Sequence, residues 1–203
     1  MRAIIEAAAT VFAEHGFRAA RVADIAVRAG IGKGTVYEYF RSKEELFLAV
    51  FDSFAVGTLE ETLARLEPRP ASSIAVLERF ADATLGACQK VLYLYPLTME
   101  FWSAAATPEF KDSLMGEFRK LYAGYREVLA GVIRDGMAAG EIRPDVDAHH
   151  VAAALVGTID ALFLQAWFDP GFDAEAAGRH FVAVVLRGIA ATDASDPAST
   201  TER

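Results

Sequence analysis

One cysteine, Cys88, stands among 203 residues, which excludes an internal disulfide and the multi-cysteine zinc frameworks and fits a reducing compartment. Strand signals are nearly absent: there is no sustained period-two alternation, and no Asn-Gly or Asp-Gly hairpin joins alternating runs. No apolar run approaches the roughly 20 residues that span a bilayer. The segment M-R-A-I-I-E-A-A-A-T-V-F-A-E carries Glu6 and Glu14 at helical spacing, so it does not read as a secretory leader. A cytoplasmic chain with no membrane partner is therefore expected. Enzyme signatures are missing too: no nucleophile–base motif, no phosphate-cradling glycine loop and no metal-ligand spacing. Neither catalysis nor a cofactor is expected. Basic charge is scarce, with 20 Lys and Arg against 28 Asp and Glu and a net charge of −8, which taken alone argues against nucleic acid.

Charge distribution answers that objection. Residues 1–51 carry seven Lys/Arg and six Asp/Glu, whereas residues 52–203 carry thirteen and twenty-two. The acid sits in the larger part, whose surface can face away from a polyanion, and binding would rest on a few well-placed cations. Apolar residues make up 53% of the chain and recur at helical spacing. Ile5, Ala8, Ala9 and Phe12 form the face of a first helix ending at Gly16. Val22, Ile25, Ala26 and Ala29 form that of a second, and Val36 and Phe40 anchor a third, with Phe17 as a plug. Ser42 and Glu45 have capping-box spacing ahead of a long fourth helix over 42–66, with Leu46, Phe47, Val50, Phe54, Leu59, Leu63 and Leu66 apolar. Helices are further predicted from Ser73 as cap to Tyr95 before Pro96, over 97–106, over 109–139, from Asp147 as cap through Phe168, and over 174–191.

The most informative run is G-I-G-K-G-T-V-Y-E-Y-F-R-S-K-E-E-L, residues 30–46. Gly30 can take the left-handed conformation that ends the second helix, and the next helix begins at Gly32 with Lys33, Thr35, Tyr37 and Tyr39 behind it. Two helices joined by a short glycine-containing turn, the second rich in donors, make a helix-turn-helix. Lys33, Thr35 and Tyr37 lie in its first turns, where base edges would be met. Tyr39 can reach the phosphate backbone, and Lys43 in the next helix is another phosphate candidate. Residues 4–51, through A-A-A-T-V-F-A-E-H-G-F, D-I-A-V-R-A-G-I-G-K-G-T-V-Y-E-Y-F and S-K-E-E-L, resemble the N-terminal domain of the TetR (tetracycline repressor) family of bacterial transcriptional regulators. The resemblance implies DNA contacts at Thr35, Tyr37, Tyr39 and Lys43. Arg21 stands where that family usually has a capping Thr or Ser. Arg21 could meet phosphate by charge, and Asp24 could reach back as half a capping box. Gly32 replaces the family's usual Ser and supplies no side-chain bond. Only Arg2 precedes the first helix, where many relatives carry a basic arm.

A protein reading DNA with one helix per subunit normally dimerises. The 148–168 helix is apolar on several faces, and with the 174–191 helix and their symmetry mates it would form a four-helix bundle. The expected interface is Leu155, Gly157, Ile159, Ala161 and Leu164 with Val182, Val185, Leu186 and Ile189. The family resemblance further implies a ligand cavity. The aromatic residues Phe101, Trp102, Phe118, Tyr122, Tyr125, Phe163 and Trp167 are its candidate lining, favouring an apolar or aromatic effector. Asp145, Asp147 and His149 could in principle hold a metal, but capping explains the acids better and no metal is expected. The whole reads as all-α. A three-helix helix-turn-helix domain (1–47) precedes a larger helical ligand-binding and dimerisation domain (48–192) and a disordered tail (193–203). The expected function is a homodimeric repressor released from operator DNA by a small-molecule effector. The alternative is an all-α small-molecule carrier or a co-regulator that has lost DNA binding.

Overall fold

A computed structural model describes residues 1–191, apart from the side chains of residues 55–61. The tail 193–203 and Leu59, both read from the sequence above, lie outside the described residues. Among the described residues nine α-helices follow in order: α1 (Arg2–Ala19), α2 (Val22–Ala29), α3 (Lys33–Tyr39), α4 (Lys43–Ala64), α5 (Ser73–Lys90), α6 (Tyr95–Ala105), α7 (Lys111–Ala138), α8 (Ala148–Phe168) and α9 (Ala174–Ile189). A single 3-10 turn, Leu92–Leu94, joins α5 to α6. No strand occurs among the described residues; one isolated bridge pairs Ile142 with Ala190 and ties the start of the α7–α8 loop to the end of α9.

Local chemistry sets most of the boundaries. Gly16 takes φ 72° and ψ 159° inside α1, breaking the helix so that Phe17 can turn into the core. Gly30 closes α2 at φ 70°, with Ile31 N donating to Ala26 O at 3.0 Å. The Ser42 hydroxyl accepts from Glu45 N at 3.1 Å, but the Glu45 carboxylate reaches back to Arg41 N rather than to Ser42 N, at 2.6 Å. Asp147 caps α8 as expected, accepting from His150 N at 2.9 Å. Several boundaries differ from the sequence reading. Ser72, not Ser73, caps α5, and α5 ends at Lys90 instead of running to Tyr95. Pro96 opens α6 rather than merely breaking its predecessor, because its missing N–H costs nothing in a first turn.

The predicted three-helix N-terminal core is larger than three helices. Phe12 and Phe17 of α1 pack on Phe47 of α4 at ring-centroid distances of 5.3 and 4.7 Å, and Phe47 packs on Phe101 of α6 at 4.7 Å. Phe110, just before α7, meets Phe17 edge-on at 5.1 Å. One apolar cluster thus runs from Ile4 through Val36 and Phe47 to Leu97 and Leu114. A second cluster joins α5, α7, α8 and α9 around Phe80, Ile133, Leu155 and Leu186.

Candidate functional site

Helix α3 is short and held by one buried side chain, Val36, with Phe40 buried just beyond its end. Everything else on it faces outward or lies at the rim. Lys33 and Gly34 are exposed, Thr35 is partly buried, and Tyr37 and Tyr39 are 46% and 51% exposed. Lys33 Nζ lies 5.8 Å from the Tyr37 ring centroid, so the two share one edge of the helix. Gly32 forms the N-cap in extended conformation with no side-chain bond, leaving the first amides of α3 open to an anion. Arg21 is exposed at the N-cap of α2; the half capping box expected from Asp24 does not form, as α2 has no side-chain cap bond. Arg18 and Arg41, not singled out in the sequence, are also exposed and make no ion pair among the described residues.

Lys43 is placed otherwise than expected. Its ammonium donates to three backbone oxygens, Phe17 O at 2.7 Å, Ala20 O at 3.1 Å and Arg18 O at 3.2 Å, and sits 4.5 Å from the Phe17 ring centroid. All three donors of the ammonium are committed. It ties the frayed end of α1 to the start of α4, and no donor remains for a phosphate. Next to it, Glu100 of α6 accepts from Phe17 N at 3.0 Å. A Cβ on Gly16 would lie 2.9 Å from Glu100 Oε1, the movable end of a side chain, so it is the φ of 72° that calls for glycine there.

Between α4, α5, α6, α7 and α8 lies a cavity of about 160 Å³. Six of the seven expected residues line it: Phe101, Trp102, Phe118, Tyr122, Tyr125 and Phe163. Trp167 does not. It is 39% exposed and its ring lies against Tyr95 and Phe168, at 5.8 and 5.0 Å, because position 167 lies a turn beyond Phe163, at the C-terminal end of α8 and past the cavity. The lining also includes Thr84, Cys88, Tyr95, Ile159 and Asp160, none of which the sequence reading assigned to it. For Asp160 a signal existed: it is the sole acid within the apolar helix Ala148–Phe168.

Asp160 dominates the electrostatics of this space. Tyr122 Oη donates to its Oδ2 at 2.7 Å. Burial nevertheless holds the carboxyl above its ordinary range, since it outweighs that one hydrogen bond. Burial, with the Asp160 charge second, pushes Tyr95 up to about 12. The same pair of causes pushes Cys88 up to about 12, so its thiol stays protonated. The Tyr95 hydroxyl is buried with no hydrogen-bond partner among the described residues.

The expected dimer face needs redrawing. Leu155, Val182, Leu186 and Ile189 are buried within the chain's own core, and Val185 packs against that core. Ile159 lines the cavity, and Leu164 packs beside Phe163. Only Gly157 and Ala161 face outward as expected. The helix period decides this: 155, 159 and 163 share one side of α8, while 153, 154, 157, 161 and 168 share the other. That outer side is apolar, ending in Phe168 at 70% exposure, and Val184 of α9 is 47% exposed. The expectation that no run approaches spanning length is also corrected. By length and composition α8 could cross a bilayer, with 21 residues and a mean hydropathy of 1.7 in its most apolar window.

Comparison with known proteins places this geometry among relatives. Residues 4–50 match the family model described as bacterial regulatory proteins, tetR family, and residues 75–192 match that of the BetI-type transcriptional repressor, C-terminal. The chain is 30% identical over 192 residues to the HTH-type transcriptional repressor KstR2 of Mycobacterium tuberculosis, covering 92% of this chain and 90% of that one. The crystal structure of the transcriptional regulator FadR from Bacillus subtilis in complex with stearoyl-CoA superposes with a TM-score of 0.78 at 25% identity, over 93% of this chain and 98% of that one. The ketosteroid transcriptional regulator KstR2 of Mycobacterium tuberculosis gives a TM-score of 0.65 at 26% identity, over 95% and 96%.

Proposed function

Since the chain belongs to the tetR family of bacterial regulatory proteins and is a transcriptional regulator, we propose that it works as a homodimeric repressor whose α3 enters the operator major groove. An apolar or aromatic effector in the cavity releases it. The observation that carries this reading is the unbroken aromatic packing between the two ends. Phe51 and Phe101 line the cavity and meet edge-on with ring centroids 5.0 Å apart. Phe101 packs on Phe47, and Phe47 packs on the α1 residues that support α2 and α3. A ligand that shifts α6 therefore moves a side chain shared with the helix-turn-helix core, and a close-packed core passes such shifts on rather than absorbing them.

Lys33, Tyr37, Tyr39 and Arg21 are the proposed DNA-facing donors, with Thr35 nearest the base edges. The outer stripe of α8, around Gly157 and Ala161, with Val184 of α9, is the proposed dimer surface. Small residues there allow close helix approach. A bilayer fits α8 poorly, because Asp160 and its inward stripe pack on protein and leave only one face apolar to the outside. Relatives bind varied molecules, stearoyl-CoA among them in FadR, so the effector is assigned from the cavity of this chain.

The two ligands sense one equilibrium, so DNA weakens effector binding by the factor by which effector weakens DNA binding. Full switching needs about 5.5 kcal/mol of differential affinity, shared over two sites. The test is fluorescence anisotropy on duplexes from the protein's own upstream region across a salt series. Thr35→Ala is expected to change sequence preference. Failure of the intact chain to bind any duplex at low salt overturns the proposal.

A further inference from the structure

Among the described residues Asp160 is the only formally charged side chain lining the cavity, and no Lys, Arg or His reaches it. Its one partner is the Tyr122 hydroxyl, and among the described residues no cation pairs with it. A largely desolvated carboxylate with one neutral partner is costly, and a cavity wall without further purpose would hold an apolar residue there instead. A second polar group is stranded in the same lining: the Tyr95 hydroxyl, on a side chain only 8% exposed, has no hydrogen-bond partner among the described residues. The rest of the wall is largely aromatic, including Phe80, Trp102, Phe118 and Tyr125. Ring faces carry negative potential and attract cations.

Resting on the effector reading above, we propose that the cavity selects a ligand with one positive charge on a compact apolar or aromatic body, an alkylated amine or quaternary ammonium, with the Asp160 carboxylate as its counter-charge. A cation there compensates the burial that holds Asp160 above its ordinary range. Where the ligand bears an N–H, the Tyr95 oxygen can accept it. The same lining rejects anions. A carboxylate or phosphate would be placed against Asp160 with no protein cation to offset it, which disfavours fatty acids and acyl-CoA esters.

The test is isothermal titration calorimetry on the full chain with three probes: trimethylanilinium, its neutral isostere tert-butylbenzene, and the anion 3-phenylpropanoate. Trimethylanilinium is expected to bind at least about tenfold tighter than tert-butylbenzene, with 3-phenylpropanoate weakest. In Asp160→Asn the preference for the cation should shrink to within about threefold, while tert-butylbenzene affinity stays nearly level. Equal binding of the neutral and cationic probes to the unsubstituted chain overturns the charge inference and leaves the effector cavity standing. So does a preference that survives in Asp160→Asn. If none of the three binds, the cavity reading falls and this inference falls with it. The probe series on the unsubstituted chain decides the matter even if the variant does not fold.

Discussion

Lys43→Met separates a structural lysine from a phosphate-binding one. Methionine keeps most of the stem and removes the three donors to Phe17 O, Ala20 O and Arg18 O. A hydrogen bond involving a charged group contributes about 1.5–3 kcal/mol net. These three share one ammonium, however, and the side chain is only partly buried, so simple addition overstates the loss. The ammonium also complements the carbonyl end of α1, worth about 0.3–1 kcal/mol, and opposes the amino end of α4 by a similar amount, so those two effects roughly cancel. The Phe17 cation–π contact adds about 0.5–1 kcal/mol. A net loss of about 2–3 kcal/mol is expected, lowering Tm by about 5–10 °C in a chain of this length. The assay pairs differential scanning calorimetry with DNA binding over a salt series. A structural Lys43 lowers Tm and leaves the salt slope of the folded protein unchanged. An unchanged Tm with a slope flattened by about one would refute the argument and restore Lys43 to the phosphate contacts.

Lys33→Ala, at an exposed site, should do the reverse: weaken binding evenly over sequences and flatten the salt slope by about one, with Tm unmoved. Ala161→Arg places a charge on the outer stripe of α8. Native mass spectrometry should then show monomer while circular dichroism stays helical, and a retained dimer would exclude that surface. Asp160→Asn should raise the Tm of the ligand-free protein at pH 8. A carboxyl whose folded value lies above the ordinary 3.8 favours the folded state below 3.8, and that advantage is lost as pH rises through the folded value. The gain from asparagine should therefore vanish as pH falls toward 3.8, and an equal gain at pH 4 and pH 8 refutes the sign.

The helix-turn-helix was legible because its signals are local. Gly30 ends a helix wherever it is placed, Ser42 and Glu45 cap one, and the alternation of Val36 with Tyr37 and Tyr39 puts donors outside. The cavity was implied by the family resemblance, and six of the seven aromatic residues expected to line it do so. The dimer face was misread because hydrophobicity alone cannot tell which apolar side of α8 meets the chain's own core. Leu155 and Ile159, turned inward, look no more apolar in the sequence than Phe168, which is 70% exposed.

Local chemistry of the chain, its glycines, caps and periodic apolar residues, is enough to determine an all-α molecule with a DNA-reading element near its start. Tertiary packing alone decided that Lys43 bonds carbonyls 23 to 26 residues away, that Phe101 belongs to both the cavity and the N-terminal core, and that Asp160 is enclosed beside Tyr122. Each of these depends on residues distant in sequence being brought within a few ångströms, and no spacing rule along one helix encodes which neighbour another helix will supply.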